Sequence, residues 1–308
     1  TGGSTNHTLH LPAMAAAAGI SLTWQDFADL SEVTPLLARV YPNGKADVNH
    51  FHAAGGIGFV IRELIGAGLL DSSARTVFGD SLSDHAAEPR LNKDGLHWQP
   101  AAITSLDPDI LRPASDPHAA NGGLCMLDGN FGKAVIKISA VAEQRRRLSA
   151  PAAVFSDEAA VKAAYADGKL DRDVVVVVRG QGPQATGMPE LHSLTPMLSN
   201  LQDKGFAVAL VTDGRMSGAS GTVPAAIHVT PEAAAGGLIG KLQDGDVITL
   251  DAASGHLDTS ADLDSRAAAG PVNQAPQRGF ARPLFAALRN GAAPAERGGG
   301  LLAGKDMS

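Results

Sequence analysis

Along the chain, polar and apolar positions fall into two regimes. In the first third, apolar residues recur at helical spacing. Leu9, Leu11 and Met14 with the alanines around them predict a helix within residues 4–18, in which Pro12 is an obstacle unless it lies in the first turn. Residues 24–30 and 34–40 predict short helices. Residues 48–70 predict a longer one, with Phe59, Val60, Ile61, Leu64 and Ile65 as its apolar face. Glycines 55, 56 and 58 interrupt that pattern, so either the helix starts after them or another backbone packs closely there.

After about Ser105 strands dominate. Residues 123–127 and 133–141 predict strands around the turn DGNFG. Residues 154–169, which contain SDEAAVKAAYADGK, predict a helix with Ser156 as N-cap, and 174–179 a strongly apolar strand. A helix at 194–204, the strand FAVALV at 206–211, and AAIHVT, GDVITLDA and HLDT continue the series. FAVALV has the short, Ala/Val-rich character of a strand covered on both faces. The predicted fold class is α/β, with a second domain built as a mixed barrel or sandwich. Residues 292–308, rich in Gly and Ala, predict a poorly ordered end.

Composition narrows the function classes. A chain of 308 residues can bury a substantial core. Its formal net charge of −7 supplies no basic surface for nucleic acid, and RRR at 145–147 is too short to change that. No apolar run reaches membrane-spanning length and the first residues lack the pattern of a signal peptide, so a cytoplasmic protein is expected. The chain opens on Thr1 without Met, inside a glycine-rich loop, which suggests a piece of a longer polypeptide. One cysteine, Cys125, excludes an internal disulfide and cannot by itself hold an iron-sulfur centre.

Four stretches combine glycine with polar groups: TGGSTNH at 1–7, NHFHAAGGIG at 49–58, GPQATGMPE at 182–190 and TDGRMSGASG at 212–221. Such loops leading into helices offer backbone N–H groups to phosphates or carboxylates, although comparable turns are common without any ligand. Arg215 can hold an anion or form a structural bridge with Asp213, and Glu190 can be a hard-cation ligand or a solvated acid. His50 and His52 can act as ligands or bases, while capping and packing are the more common roles of such a pair. Ser217 lacks a G-x-S-x-G elbow, so a hydrolase triad is not indicated.

Together, TGGSTNHTLHLPAMA, VYPNGKADVNHFHAAGG, GGLCMLDGNFGKAVIK and LVTDGRMSGASG resemble the iron-sulfur dehydratases that act on dihydroxy acids and sugar acids. GGSTNHT, YPNGKADVNHF and GRMSGASG resemble the phosphogluconate branch. The resemblance implies that residues 1–105 are the last part of an N-terminal α/β/α domain and 106–308 a C-terminal β-barrel-like domain. It implies dehydration of a phosphorylated sugar acid by a homodimer, a 4Fe-4S cluster, and a Mg2+ ion in better-described relatives. It assigns Ser217 as catalytic base and Glu190 as metal ligand. Asn6, His7, Lys45, Asn49, His50 and Arg215 are the polar candidates for holding the substrate phosphate, with Ser4 and Thr5 beside them as substrate-binding candidates. The family's CDK motif and cluster cysteines do not occur here, so this segment alone is expected to be inactive. A sister substrate specificity and a non-catalytic binding module are the alternatives.

Overall fold

The structure, a computed structural model, describes residues 1–77, 79–216, 221–268 and 282–301. It divides into two compact units: Thr1–Gly2 with Asp29–Gly123, and Gly3–Ala28 with Leu124–Ser308.

The second unit contains helices α1 (His7–Ala17) and α2 (Trp24–Val33), the latter continuing into the first unit. Pro12 lies inside α1, not in its first turn. Lacking an N–H, it cannot satisfy the Thr8 carbonyl four residues earlier. The Trp24 indole N–H takes that place, donating to Thr8 O at 2.9 Å.

In the first unit, α3 (Val48–Ala54) and α4 (Gly56–Gly66) replace the single long helix expected over 48–70. The break is Gly55, at φ 139°, a conformation that a side chain resists. Close approach occurs as well, since a Cβ on Gly58 would lie 2.8 Å from that of Ala101. Residues 34–40 are not helical. They extend and form bridges from Leu36 to Ala119 and from Ala38 to Leu111. Pro35 disfavours helical backbone at Thr34, and Leu36, Leu37 and Ala38 are consecutively buried, which one face of a helix cannot achieve. A hairpin, β1 (Ala87–Asn92) and β2 (Gly95–Pro100), departs from the helical expectation for this third. Its turn is Lys93-Asp94, and Gly95, which follows at φ 110°, was the available signal.

The barrel unit is built from β3 (Leu124–Gly129), β4 (Gly132–Lys137), β5 (Arg147–Phe155), β6 (Val174–Val178), β7 (Val208–Thr212), β8 (Ala225–Thr230), β9 (Val247–Asp251) and β10 (His256–Thr259). They close in the order β10-β3-β4-β8-β7-β6-β5-β9, the ring completed by the antiparallel β9–β10 pair. The expected α/β fold class with a barrel domain is the one observed. Strands β5 to β8 run parallel, with α5 (Glu158–Ala166) and α6 (Leu194–Asp203) as crossovers.

That arrangement explains the all-valine β6. Val175 and Val177 join the cluster that includes Ile136, Ala209, Val211 and Leu250, while Val174, Val176 and Val178 join the one containing Val161, Leu194 and Leu198 from the crossover helices. Each fully buried valine contributes on the order of 1.5–3 kcal/mol. Strand β5 lies partly in the segment expected to begin a helix. Helix α5 starts later, with Asp157, not Ser156, as its N-cap accepting from Ala160 N–H at 2.8 Å. At the other end, Ala292, Ala293 and Ala295 are buried, so the start of the expected disordered tail is packed; residues 302–308 lie outside the described residues.

The seam between β3 and β10 depends on Gly129. A Cβ there would stand 1.7 Å from Leu257 O, so Gly129→Ala must push β10 away. The expected loss is about 1–3 kcal/mol, measured as a lower urea midpoint; an unchanged midpoint would show that the seam yields without cost.

Candidate functional site

Strands β6 and β7 are parallel neighbours in the barrel, so the loops beyond their carboxyl ends lie side by side. The loop after β6 carries Met188 and Glu190; the turn after β7 carries Asp213 and Arg215. The two loops join edge to edge through a bridge between Glu190 and Arg215, with Leu191 N–H donating to Arg215 O at 2.9 Å.

Arg215 is the hub. Its Nη1 lies 3.3 Å from Glu190 Oε1, its Nε donates to Met188 O at 2.7 Å, and Nη1 also donates to Asn6 Oδ1 at 3.3 Å. Asn6 completes the triangle by donating from Nδ2 to Glu190 Oε1 at 3.3 Å. Both ion-pair partners stay partly exposed, Arg215 at 25% and Glu190 at 35%, so an anionic or hydroxylated ligand can reach them. The bridge from Arg215 thus goes to Glu190. Asp213 instead is fully buried and accepts backbone N–H groups of Gly180, Gln181 and Ala233 at 2.9–3.0 Å. Burial raises its pKa, opposed by those hydrogen bonds.

The glycine-rich loop before α1 supplies the other side. Ser4 Oγ accepts from Asn6 N–H at 3.2 Å, and Thr5 O accepts from the Thr8 hydroxyl at 2.8 Å. Lys137, at the end of β4, donates to Gly3 O at 2.7 Å. Burial lowers the pKa of Lys137, and burial followed by the charges of His10 and Lys137 lowers that of His7. Ser4, Thr5, Asn6, His7, Glu190 and Arg215 therefore all belong to the barrel unit. Asn49 and His50 belong to the first unit, where both backbone N–H groups are capped by Asp47 Oδ1 and the His50 ring makes a capping box. Ser217 lies outside the described residues.

Sequence reasoning passed over Thr8, Met188 and Lys137, and had no ground for separating His228 from the other histidines. The two non-glycine residues at positive φ among the described residues are Met188 and His228. His228 is fully buried in a bulge of β8, where the register against β4 shifts. Burial, then the charges of Arg215 and His10, pushes its pKa down to about 3.

An iron-sulfur cluster does not fit these residues. Cys125 is the chain's one cysteine, it sits in β3 against the barrel core, and no three His, Cys, Asp or Glu side chains converge among the described residues. Glu190, the expected metal ligand, faces the Arg215 guanidinium through Oε1. No helix among the described residues is long and apolar enough to cross a membrane.

The chain matches the dihydroxy-acid/6-phosphogluconate dehydratase N-terminal family over residues 1–85 and the C-terminal family over residues 109–299. It belongs to the dihydroxy-acid/6-phosphogluconate dehydratase family. Phosphogluconate dehydratases from Pseudomonas aeruginosa and Rhizobium meliloti are each 54% identical to it, over 97% and 98% of this chain and 49% and 50% of their own lengths. That of Escherichia coli K12 is 52% identical over 97% of this chain and 50% of its own length. The chain spans about half the length of the curated relatives it matches.

Proposed function

We propose that this chain supplies about half of a 6-phosphogluconate dehydratase, which converts 6-phospho-D-gluconate to 2-dehydro-3-deoxy-6-phosphogluconate and water in the Entner-Doudoroff pathway. The likeness to phosphogluconate dehydratases along nearly the whole chain carries this reading. Residues 1–105 would complete a larger N-terminal domain, and 106–308 form the C-terminal one. The reaction removes a proton from C2 and the hydroxyl from C3, and the resulting enol becomes the 2-ketone. Arg215 and Asn6 orient the anionic substrate. Ser4, Thr5 and His7 border it from the α1 loop.

Ser217 takes the C2 proton in this reading. A serine hydroxyl is too weak an acid to ionise without a neighbouring positive charge, and Arg215 is the cation two positions away in sequence. Any cluster rests on cysteines outside these 308 residues, so the segment alone is inactive. The whole protein is read as a cytoplasmic homodimer.

The test is an anaerobic assay of the full-length dehydratase with 6-phosphogluconate and with a dihydroxy acid. Turnover of the phosphorylated substrate is expected, with Arg215→Met lowering kcat/KM by roughly a hundredfold. Preference for the dihydroxy acid, or Arg215→Met within threefold of the parent, would overturn the reading. The single cysteine favours a second reading for the segment by itself, a ligand-binding module; its mark is binding of 6-phosphogluconate without turnover.

A further inference from the structure

We propose that His228 is a positioning residue that locks the loop before α1 onto the Arg215 turn, so that Asn6 meets Arg215 and Glu190. It rests on the reading of that cluster as the site.

Proton accounting fixes the ring. The Thr8 hydroxyl has one hydrogen, which it gives to Thr5 O at 2.8 Å. With the hydrogen on the shorter of its two contacts, Thr8 Oγ1 accepts at the 3.3 Å contact with His228 Nδ1, an arrangement that assigns the ring proton to Nδ1. Nε2 is then a bare lone pair, buried and without a partner among the described residues. Such an acceptor costs on the order of 1–3 kcal/mol. The backbone is strained as well, at φ 60°, where a residue other than glycine is disfavoured. A position selected only for packing would hold an apolar residue in relaxed backbone.

What the strain secures is Arg215. The His228 N–H donates to Gly214 O at 2.9 Å, one residue before the arginine. The other strained residue, Met188 at φ 55°, gives its carbonyl to Arg215 Nε at 2.7 Å. Of the two non-glycine outliers among the described residues, Met188 thus holds the Arg215 side chain and His228 the carbonyl of the residue before it, and strain of this kind concentrates at functional sites. Through its ring, His228 also holds Thr8, two residues from Asn6 in α1. One residue therefore ties together groups that are 209 positions apart in the chain. Trp24 packs near the ring, at 6.2 Å between centroids and tilted by 40°.

Two measurements decide this. Nitrogen-15 ring spectra of the 308-residue chain should show His228 with a proton on Nδ1 and none on Nε2 from pH 8 to pH 5. A proton on Nε2 would overturn the proposal. In the full-length dehydratase, His228→Leu removes the donor, whereas His228→Asn keeps an amide donor near the Nδ1 position and tolerates positive φ. Expected is a loss of tenfold or more in kcat for His228→Leu, with His228→Asn within threefold of the parent; equal losses would overturn it. If His228→Leu does not fold, the ring spectra and His228→Asn still decide, since loss of tenfold or more in His228→Asn counts against it. A fully active Arg215→Met would instead remove the reading of the site, leaving the ring spectra to report the Thr8 lock separately.

Discussion

Asp213→Ala is expected to destabilise the barrel unit by about 3–5 kcal/mol, a large share of the 5–15 kcal/mol that holds a typical domain together. The carboxylate accepts three backbone N–H groups: Gly180 and Gln181 beyond β6, and Ala233 beyond β8. Asp213 itself follows β7, so one side chain fastens the carboxyl ends of three neighbouring parallel strands. Alanine leaves three donors without an acceptor in a region closed to water, each costing on the order of 1–3 kcal/mol less whatever relaxation recovers. Asp213→Asn keeps one acceptor oxygen and should lose less. Urea unfolding of the 308-residue chain at pH 7, followed by circular dichroism, measures both. An Asp213→Ala midpoint equal to the parent's would mean that the three donors find water and the carboxylate is dispensable.

Acidification from pH 6.5 to pH 4 is expected to cost the barrel unit about 3 kcal/mol through His228 alone, at about 1.4 kcal/mol per pH unit. The folded-state pKa of about 3 lies below the ordinary value of 6.5 because burial excludes the charged ring. Between those values the unfolded chain binds a proton that the folded one refuses. Stability is therefore full above pH 6.5, falls as the pH drops, and levels off near pH 3. Asp213 and Glu232 work in the opposite direction: burial raises both pKa values, so the folded state takes up their protons at higher pH than the unfolded chain does. Comparison with His228→Asn isolates the histidine. The parent's stability advantage over that variant should shrink by about 3 kcal/mol between pH 7 and pH 4; a constant difference would mean that the ring gains a proton without unfolding.

Much of the barrel was legible. The runs VVVVV, VALVT and AAIHVT are buried strands because no helix can hide so many consecutive apolar residues on one face, and the crossover helices carry ordinary periodicity. Less legible was β5, whose pattern runs through Pro151 and into the helix-capping residues behind it. In the first unit, residues 34–40 have helical composition, yet their backbone partners lie at 111 and 119, far along the chain. Local propensity carries no trace of such pairings. The four glycine-rich stretches were visible as candidate ligand loops, and the motif resemblance singled out Glu190 and Arg215. Their mutual geometry was not visible: the sequence offered Asp213 as partner to Arg215, and the structure chose Glu190.

By itself the sequence determined the family, the alternation of strands and helices beyond residue 105, and the absence of cluster-binding cysteines, because these depend on residue identity and short-range period. Tertiary structure decided that the sheet closes into a ring, that Asn6 meets Glu190 and Arg215, and that His228, one histidine among ten in the sequence, is buried in a strained bulge. Those outcomes depend on which distant segments share a hydrogen bond or exclude water from one another, and that is settled only when the whole barrel packs.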